Sequence, residues 1–300
     1  MPTAHAPQCA TFGGTAHTTA GLVSTRRLSI VGRSGNLEAR LYRSASSRTQ
    51  DADTLLVFFH GGGFVAGTLD SGDACMCSLA AHLDGVLLAP TYTQAPHQSF
   101  PAAAEDAYAA IAQCAAKPRH FDWTGKHLVI GGIEAGGNLA AVAAMMARDR
   151  GGPRLAGQLL VMPMLDPGLT SDSMRCASQK GLDQRIASAC AEGYRGYLPR
   201  AADRVHPYAC PLASSRVKGL PPTMIVSIAG DPLQDEAKAY GAKLAASGIE
   251  VRTLLLDAPP AASPLVDATA RCQSVSSDRS FAAMAAFVSS LTRHDLDPDP

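Results

Sequence analysis

The residues best placed to do chemistry fall in one run, His127-Leu128-Val129-Ile130-Gly131-Gly132-Ile133-Glu134-Ala135-Gly136-Gly137-Asn138-Leu139-Ala140-Ala141. An apolar stretch stops at two glycines, a tight glycine turn follows, and an alanine-rich helical pattern begins. Strand, turn and helix in that order form a nucleophile elbow, which holds its central residue at the top of a sheet with the side chain exposed. Gly132 and Gly136 flank the centre because a side chain at either place would collide with the neighbouring strand or helix. Such a turn presents Ser or Cys. Here it presents Glu134.

A glutamate at this point has three chemistries open to it. Sited at a helix N-terminus beside unpaired amides, its carboxylate can fold back onto those N–H groups and plug the site. With a second carboxylate nearby it can work as a general acid or base, because two such groups in a dry cleft share a proton. Asp231, in Asp231-Pro232-Leu233-Gln234-Asp235-Glu236, is the candidate partner. Finally, a carboxylate can attack as a nucleophile, but a histidine must then activate the water that frees the enzyme.

The elements that must position these residues alternate between apolar strands and helices. Leu55 to Phe59, Val86 to Tyr92, Leu159 to Met164, Thr223 to Ile228 and Val251 to Leu256 read as strands, several of them buried on both faces. Helical patterns run from about Ala74 to His82, Ala102 to Ala115, Ala237 to Ala246 and Phe281 to Leu291. Two shorter β patterns, Arg27 to Ile30 and Leu37 to Tyr42, are joined by a hairpin-like link at Gly32-Arg33-Ser34-Gly35. The alternation implies an α/β fold with a mostly parallel sheet covered on both faces. Residues 1–26 read as a loose arm and 27–293 as one domain. Residues 166–206, where the pattern weakens and turns polar, read as an insertion over the sheet, and 294–300 as a frayed tail.

The chain has 300 residues, with Lys+Arg and Asp+Glu both 26, so its formal net charge is zero. Nothing is basic enough to expect nucleic acid, and no apolar stretch is long enough to span a bilayer. The start lacks a basic region followed by an apolar core, so no signal peptide is expected. The eight cysteines are scattered with no Cys-x-x-Cys pair, which reads as buried or free thiols in a reducing cytoplasm. Cys75-x-Cys77 lacks a second ligand pair at zinc spacing, so no metal is expected, and no cofactor motif is present.

Four segments together resemble the hormone-sensitive-lipase-like branch of the α/β-hydrolases, the bacterial family IV esterases. They are His60-Gly61-Gly62-Gly63-Phe64 with Gly67; Tyr92-Thr93-Gln94-Ala95-Pro96-His97-Gln98-Ser99-Phe100-Pro101; the elbow through Ala141; and Gly219-Leu220-Pro221-Pro222 with Asp231 to Glu236. The resemblance runs from about Leu28 to Leu291 and implies an eight-stranded sheet with a small cap from the N-terminal arm and the 166–206 insertion. In that family an elbow serine attacks an ester, a histidine takes its proton, an aspartate orients the histidine, and loop amides hold the oxyanion. Carried over, the oxyanion donors are Gly61, Gly62 and Ala135, the orienting acid is Asp231, and His60 fixes the loop. The serine position holds Glu134, and the usually acidic residue before it is Ile133. The triad histidine falls nearest Ala261, within Asp257-Ala258-Pro259-Pro260-Ala261-Ala262-Ser263, and the only later histidine is His294.

Three functions stay open on this reading. A pseudo-hydrolase would bind a small apolar or ester-like ligand, or a partner protein, without turnover; plant gibberellin receptors, which resemble these esterases and lack the histidine, are a precedent in kind. A repurposed lyase, dehydratase or cyclase would use Glu134 and Asp231 as acid and base. A weak carboxylesterase would be a hydrolase by family label only. The Pro/Ala-rich segment around Ala261 favours the first, since it supplies no replacement base. The resemblance also allows a homodimer through the last strand and helix.

Overall fold

The computed structural model describes residues 22–45, 51–95, 97–178, 181–258 and 268–292. In chain order the elements are β1 (Val23–Val31), β2 (Asn36–Ser44), β3 (Ala52–Phe59), α1 (Leu69–His82), β4 (Val86–Pro90), α2 (Ala102–Ala116), β5 (Trp123–Ile133), α3 (Ala135–Asp149), β6 (Gly157–Val161), α4 (Asp172–Ala177), α5 (Gly181–Tyr197), β7 (Thr223–Ile228), α6 (Gln234–Ala246), β8 (Val251–Leu256), α7 (Ala268–Ser274) and α8 (Asp278–Ser290). The strands form one eight-stranded sheet in the order β1-β2-β4-β3-β5-β6-β7-β8. β2 is antiparallel to both β1 and β4, and the pairings from β4 to β8 are parallel.

Leu55 to Phe59 of β3 are all buried, because helices cover both faces of the parallel part. The β1–β2 hairpin closes where Gly32 N–H donates to the Gly35 carbonyl at 2.8 Å. α1 begins with a reciprocal cap, Thr68 and Ser71 each bonding the other's backbone N–H, which satisfies two orphan donors of its first turn. Because the central strands are parallel, the loops after β3, β5 and β7 all emerge at one end of the sheet. That end carries His60 to Gly63, Glu134 and Asp231.

Four expectations change. β1 begins at Val23, so the boundary drawn at residue 26 falls inside a strand. The weakly patterned 166–206 stretch contains two α-helices, α4 and α5; α5 is long and amphipathic, with Ile186, Cys190, Tyr194 and Tyr197 buried on one side and Arg185, Glu192 and Arg195 exposed on the other. α7 was not foreseen at all. Cys75 and Cys272, read as free thiols, form a disulfide between α1 and α7 across 197 residues of sequence. Residues 1–21 of the expected arm, Ala261, and the expected tail 294–300 lie outside the described residues.

Candidate functional site

Glu134 sits between β5 and α3 with φ 57° and ψ −114°, a backbone conformation that costs an ordinary residue about 1–3 kcal/mol. Three bonds hold it there. Its N–H donates to the Val161 carbonyl at 2.9 Å, and its own carbonyl accepts from Asn138 at 3.1 Å and Met164 at 3.0 Å. The flanking glycines are sterically required. A Cβ on Gly132 would lie 2.2 Å from the Gly136 carbonyl oxygen, and one on Gly136 only 2.1 Å from that of Phe59. β3, β5 and α3 therefore meet backbone to backbone at the turn.

The glutamate side chain is buried and turns toward the loop after β3. Gly62 N–H donates to Glu134 Oε2 at 2.9 Å, and a Cβ on Gly61 would come within 2.8 Å of the same oxygen. Of the three amides expected to face an oxyanion, Gly62 is thus bonded to the carboxylate and Gly61 is packed against it. Ala135, the first residue of α3, is fully buried beneath the turn, and no Ala135 N–H bond to the carboxylate is found among the described residues.

The glycine loop is braced from below. Gly62 has φ 115° and Gly63 φ 59°, and the Gly62 carbonyl accepts from Val65 and Ala66 at 3.1 and 3.0 Å. His60 Nδ1 lies 2.7 Å from the Gly61 carbonyl, and its ring stacks on Tyr92 with centroids 4.4 Å apart. Tyr92 Oη donates to the His60 carbonyl at 3.3 Å. Burial pushes the His60 pKa below its ordinary 6.5. It also raises the Tyr92 hydroxyl, with the Glu134 charge adding to that shift. His60 is a neutral brace for the loop.

Asp231 follows β7 and is buried. Its Oδ1 accepts from Leu233 N–H at 2.9 Å. Both of its oxygens are also engaged by Arg271, Nη1 on Oδ2 and Nη2 on Oδ1, the latter at 3.2 Å. The two side chains are 4% and 2% exposed, so the pair is essentially dry. Burial alone would pull the Arg271 guanidinium down, but the Asp231 charge and hydrogen bonds, and the charge of Glu134, hold it above its ordinary value. Glu134, Asp231 and Arg271 thus form one buried electrostatic cluster of two acids and a base. Arg271 had no sequence signal beyond being a lone arginine in a Pro/Ala/Ser-rich stretch. Asp231, expected to face either a histidine or Glu134, meets a guanidinium instead.

α5 closes over the glycine loop. A Cβ on Gly193 would lie 2.4 Å from the Gly63 carbonyl oxygen, and Tyr197 stacks on Phe64 at 4.0 Å between centroids. Glu236 reaches across to accept the Leu165 N–H at 3.0 Å, and burial raises its carboxyl well above the ordinary range. Asp235 accepts from Ser173 N–H at 2.8 Å, tying α6 to α4.

Space beside the site is small. A cavity of about 20 Å³ is lined by His60, Gly61, Met76, Ile133 and Cys272, room for about one water. A much larger cleft of about 570 Å³ lies at the opposite end of the sheet, where β5 and β8 begin. Three of its cations are already neutralised, Lys126 by Asp53, Arg148 by Asp149 and Arg252 by Glu250, and it is remote from Glu134. Among the described residues no three His, Cys, Asp or Glu side chains gather as a metal would require, and no helix is long and apolar enough to cross a membrane.

Sheet order, elbow and glycine loop define an α/β-hydrolase, and the family model described as the alpha/beta hydrolase fold matches residues 56–259. Esterase LipI of Mycobacterium tuberculosis is 34% identical over 229 residues, 75% of this chain and 70% of LipI. Carboxylic ester hydrolase LipN of the same organism is 34% identical over 247 residues, 76% of this chain but only 61% of LipN. The crystal structure of EstE1, a thermostable carboxylesterase cloned from a metagenomic library, superposes with a TM-score of 0.79 at 28% identity, covering 92% of this chain and 90% of EstE1. The chain belongs to the hormone-sensitive-lipase-like branch of the α/β-hydrolases.

Proposed function

We propose that this chain is a pseudo-hydrolase, an esterase scaffold that binds a small apolar or ester-like ligand, or a partner protein, without serine-type ester turnover. The observation that carries this reading is the Gly62 N–H bonded to the Glu134 carboxylate. An amide that would stabilise a developing oxyanion is already occupied by a carboxyl oxygen from the same chain, at the position where the nucleophile would stand. The Asp231–Arg271 pair supports it further, because the guanidinium engages both oxygens of the aspartate and competes with any histidine that Asp231 would have to orient. Loss of nucleophile or base in serine hydrolases costs on the order of a million-fold in rate, about 8 kcal/mol.

The acid/base alternative, with Glu134 and Asp231 sharing a proton in a lyase, dehydratase or cyclase, loses support because Arg271 stands on Asp231 and neutralises it. Weak carboxylesterase activity is the reading that the relatives' names suggest. Cytoplasmic location and pairing of two copies through β8 and α8 belong to the same proposal. Cys77, Cys114, Cys176, Cys190 and Cys210 are not disulfide-bonded, and Leu255 stands exposed on the edge strand β8.

The test is p-nitrophenyl butyrate hydrolysis by the wild type, by Glu134→Ala, and by Glu134→Ser combined with Ala261→His and Arg271→Ala. No wild-type turnover above the uncatalysed rate, with recovery only in the triple variant, is the expected result. Wild-type turnover at ordinary esterase levels that Glu134→Ala abolishes would overturn the proposal.

A further inference from the structure

Arg271, the counter-ion of Asp231, and Cys272, the partner of Cys75, are consecutive residues of α7. This helix has only seven residues, too few to be stable by itself in water. It is fastened to the rest of the molecule at adjacent points, by an ion pair to the loop after β7 and by a covalent bond to α1. α1 is the helix that follows directly on the Gly61–Gly63 loop, with its cap at Thr68. Cys272 also lines the small cavity shared with His60, Gly61 and Ile133. One short helix therefore supplies both the charge that fills the Asp231 side of the site and a wall beside the glycine loop.

We propose that the Cys75–Cys272 disulfide is a redox clamp on the site. Oxidised, it holds α7 against α1 and keeps the Arg271 guanidinium on Asp231. Reduced, it leaves α7 fastened by the ion pair and its packing alone, and the helix opens locally to expose Asp231 and the Glu134 side of the cleft. The inference rests on the reading of Glu134, Asp231 and Arg271 as a closed site, but not on whether esters are hydrolysed.

The chemistry needs a dithiol reductant as co-reactant. Its thiolate attacks one sulfur of the pair, the S–S bond breaks, and a mixed disulfide forms. The reductant's second thiol displaces the protein sulfur. Two electrons and two protons have then passed to Cys75 and Cys272, and the reductant leaves as its own disulfide. Re-closing needs a disulfide oxidant of the same class. Both sulfurs belong to buried residues, 7% and 4% exposed, so attack proceeds through local opening of α7. Once the bond is cut, closing again depends on the ion pair, and the exposed state gains because water solvates both freed charges. A clamp of this kind is compatible with a reducing compartment, where a permanent structural disulfide is not.

Arg271 supplies its own probe, since trypsin cuts after arginine only when the backbone can unfold into the protease. The full chain is oxidised with glutathione disulfide or reduced with dithiothreitol, digested briefly, quenched, and then fully reduced in both samples so that the fragment beginning at Cys272 is freed from Cys75 before mass spectrometry. Deuterium uptake over 268–274 is measured in parallel. Reduction is expected to speed cleavage after Arg271 by about tenfold or more and to raise uptake in α7 while α3 stays protected. Cys75→Ser should cleave fast in both conditions, and Cys176→Ser should respond like the wild type. Equal cleavage in both conditions would overturn the clamp, as would alkylation of Cys75 and Cys272 as free thiols after oxidation. Loss of protection throughout the chain on reduction would also overturn it, marking the bond as a global staple. None of these outcomes depends on ester turnover, so a failed clamp leaves the reading of Glu134 standing, and an active esterase leaves the cleavage result standing.

Discussion

The two halves of the candidate site differ from a Ser-His-Asp arrangement in opposite ways. On the elbow side the backbone keeps the geometry of a nucleophile turn, with Glu134 at φ 57°, and only the side chain differs. On the other side the Asp231 side chain is kept and its environment differs, because a guanidinium from α7 stands where an imidazole would be expected. The contrast follows from how each half is built. The elbow is wedged among three backbones, where a single Cβ would come within about 2 Å of a carbonyl, so nothing but the outward-pointing side chain is free to change. Asp231 is fixed by the turn after β7, but what it meets is supplied by a different element, α7, which is 40 residues later in the chain and is tied to α1 by the disulfide.

The sharpest way to break this comparison is to empty the Asp231 half. Arg271→Met leaves a buried aspartate without its counter-ion and is expected to cost about 3–5 kcal/mol of stability, read as a lowered urea midpoint. Adding Asp231→Leu should restore most of that loss, because a dry ion pair is worth little more than well-packed apolar groups. A loss below about 1 kcal/mol for Arg271→Met would mean that the pair is not desolvated as drawn.

The elbow half predicts a smaller, conformational effect. Glu134→Gly and Glu134→Ala both remove the carboxylate from the Gly62 amide, but only glycine relieves the positive φ. The glycine variant should be more stable than the alanine variant by about 1–2 kcal/mol, measured by denaturant unfolding. Equal stabilities would show that the turn stores no strain.

The smallest effect expected is one of pH, and it acts on the elbow half through His60. Burial lowers its pKa below 6.5, so in acid the unfolded chain takes up a proton that the folded chain refuses. Stability therefore holds above the ordinary histidine range and falls as pH drops through 6.5. His60→Gln should flatten that part of the profile. A slope unchanged by the substitution would assign the pH dependence to other groups.

The alternation of strands and helices, the hairpin-like start and the two glycine motifs were legible in the sequence, because each has a local signature of period, length or turn chemistry; the spatial order of the strands was not. Glu134 at the elbow and Asp231 after β7 were legible for the same reason. Arg271 was not: its importance lies in one contact with a residue 40 positions earlier, and no pattern around it announces that contact. The disulfide was hidden likewise, since eight dispersed cysteines carry no information about which two are near in space. α5 was obscured because its charged outer face dilutes the apolar signal that its inner face, packed on Phe64 and Gly63, would otherwise give. The inward turn of Glu236 to the Leu165 amide was equally out of reach, because its partner lies 71 residues earlier in the chain.

By itself the sequence determined the frame: which strands are buried on both faces, where the chain must turn on glycine, and that a carboxylate stands where a nucleophile would. These are consequences of short-range sterics and of apolar periodicity, which neighbouring residues fix among themselves. Only the tertiary structure decided what that carboxylate does. It turned Glu134 onto the Gly62 amide, set Arg271 against Asp231, and bound Cys272 to Cys75. The first two are long-range pairings of buried polar groups, favourable only where the packed core has removed the water that would otherwise satisfy them separately; the third is a covalent bond that forms only because the fold brings two distant cysteines within bonding reach.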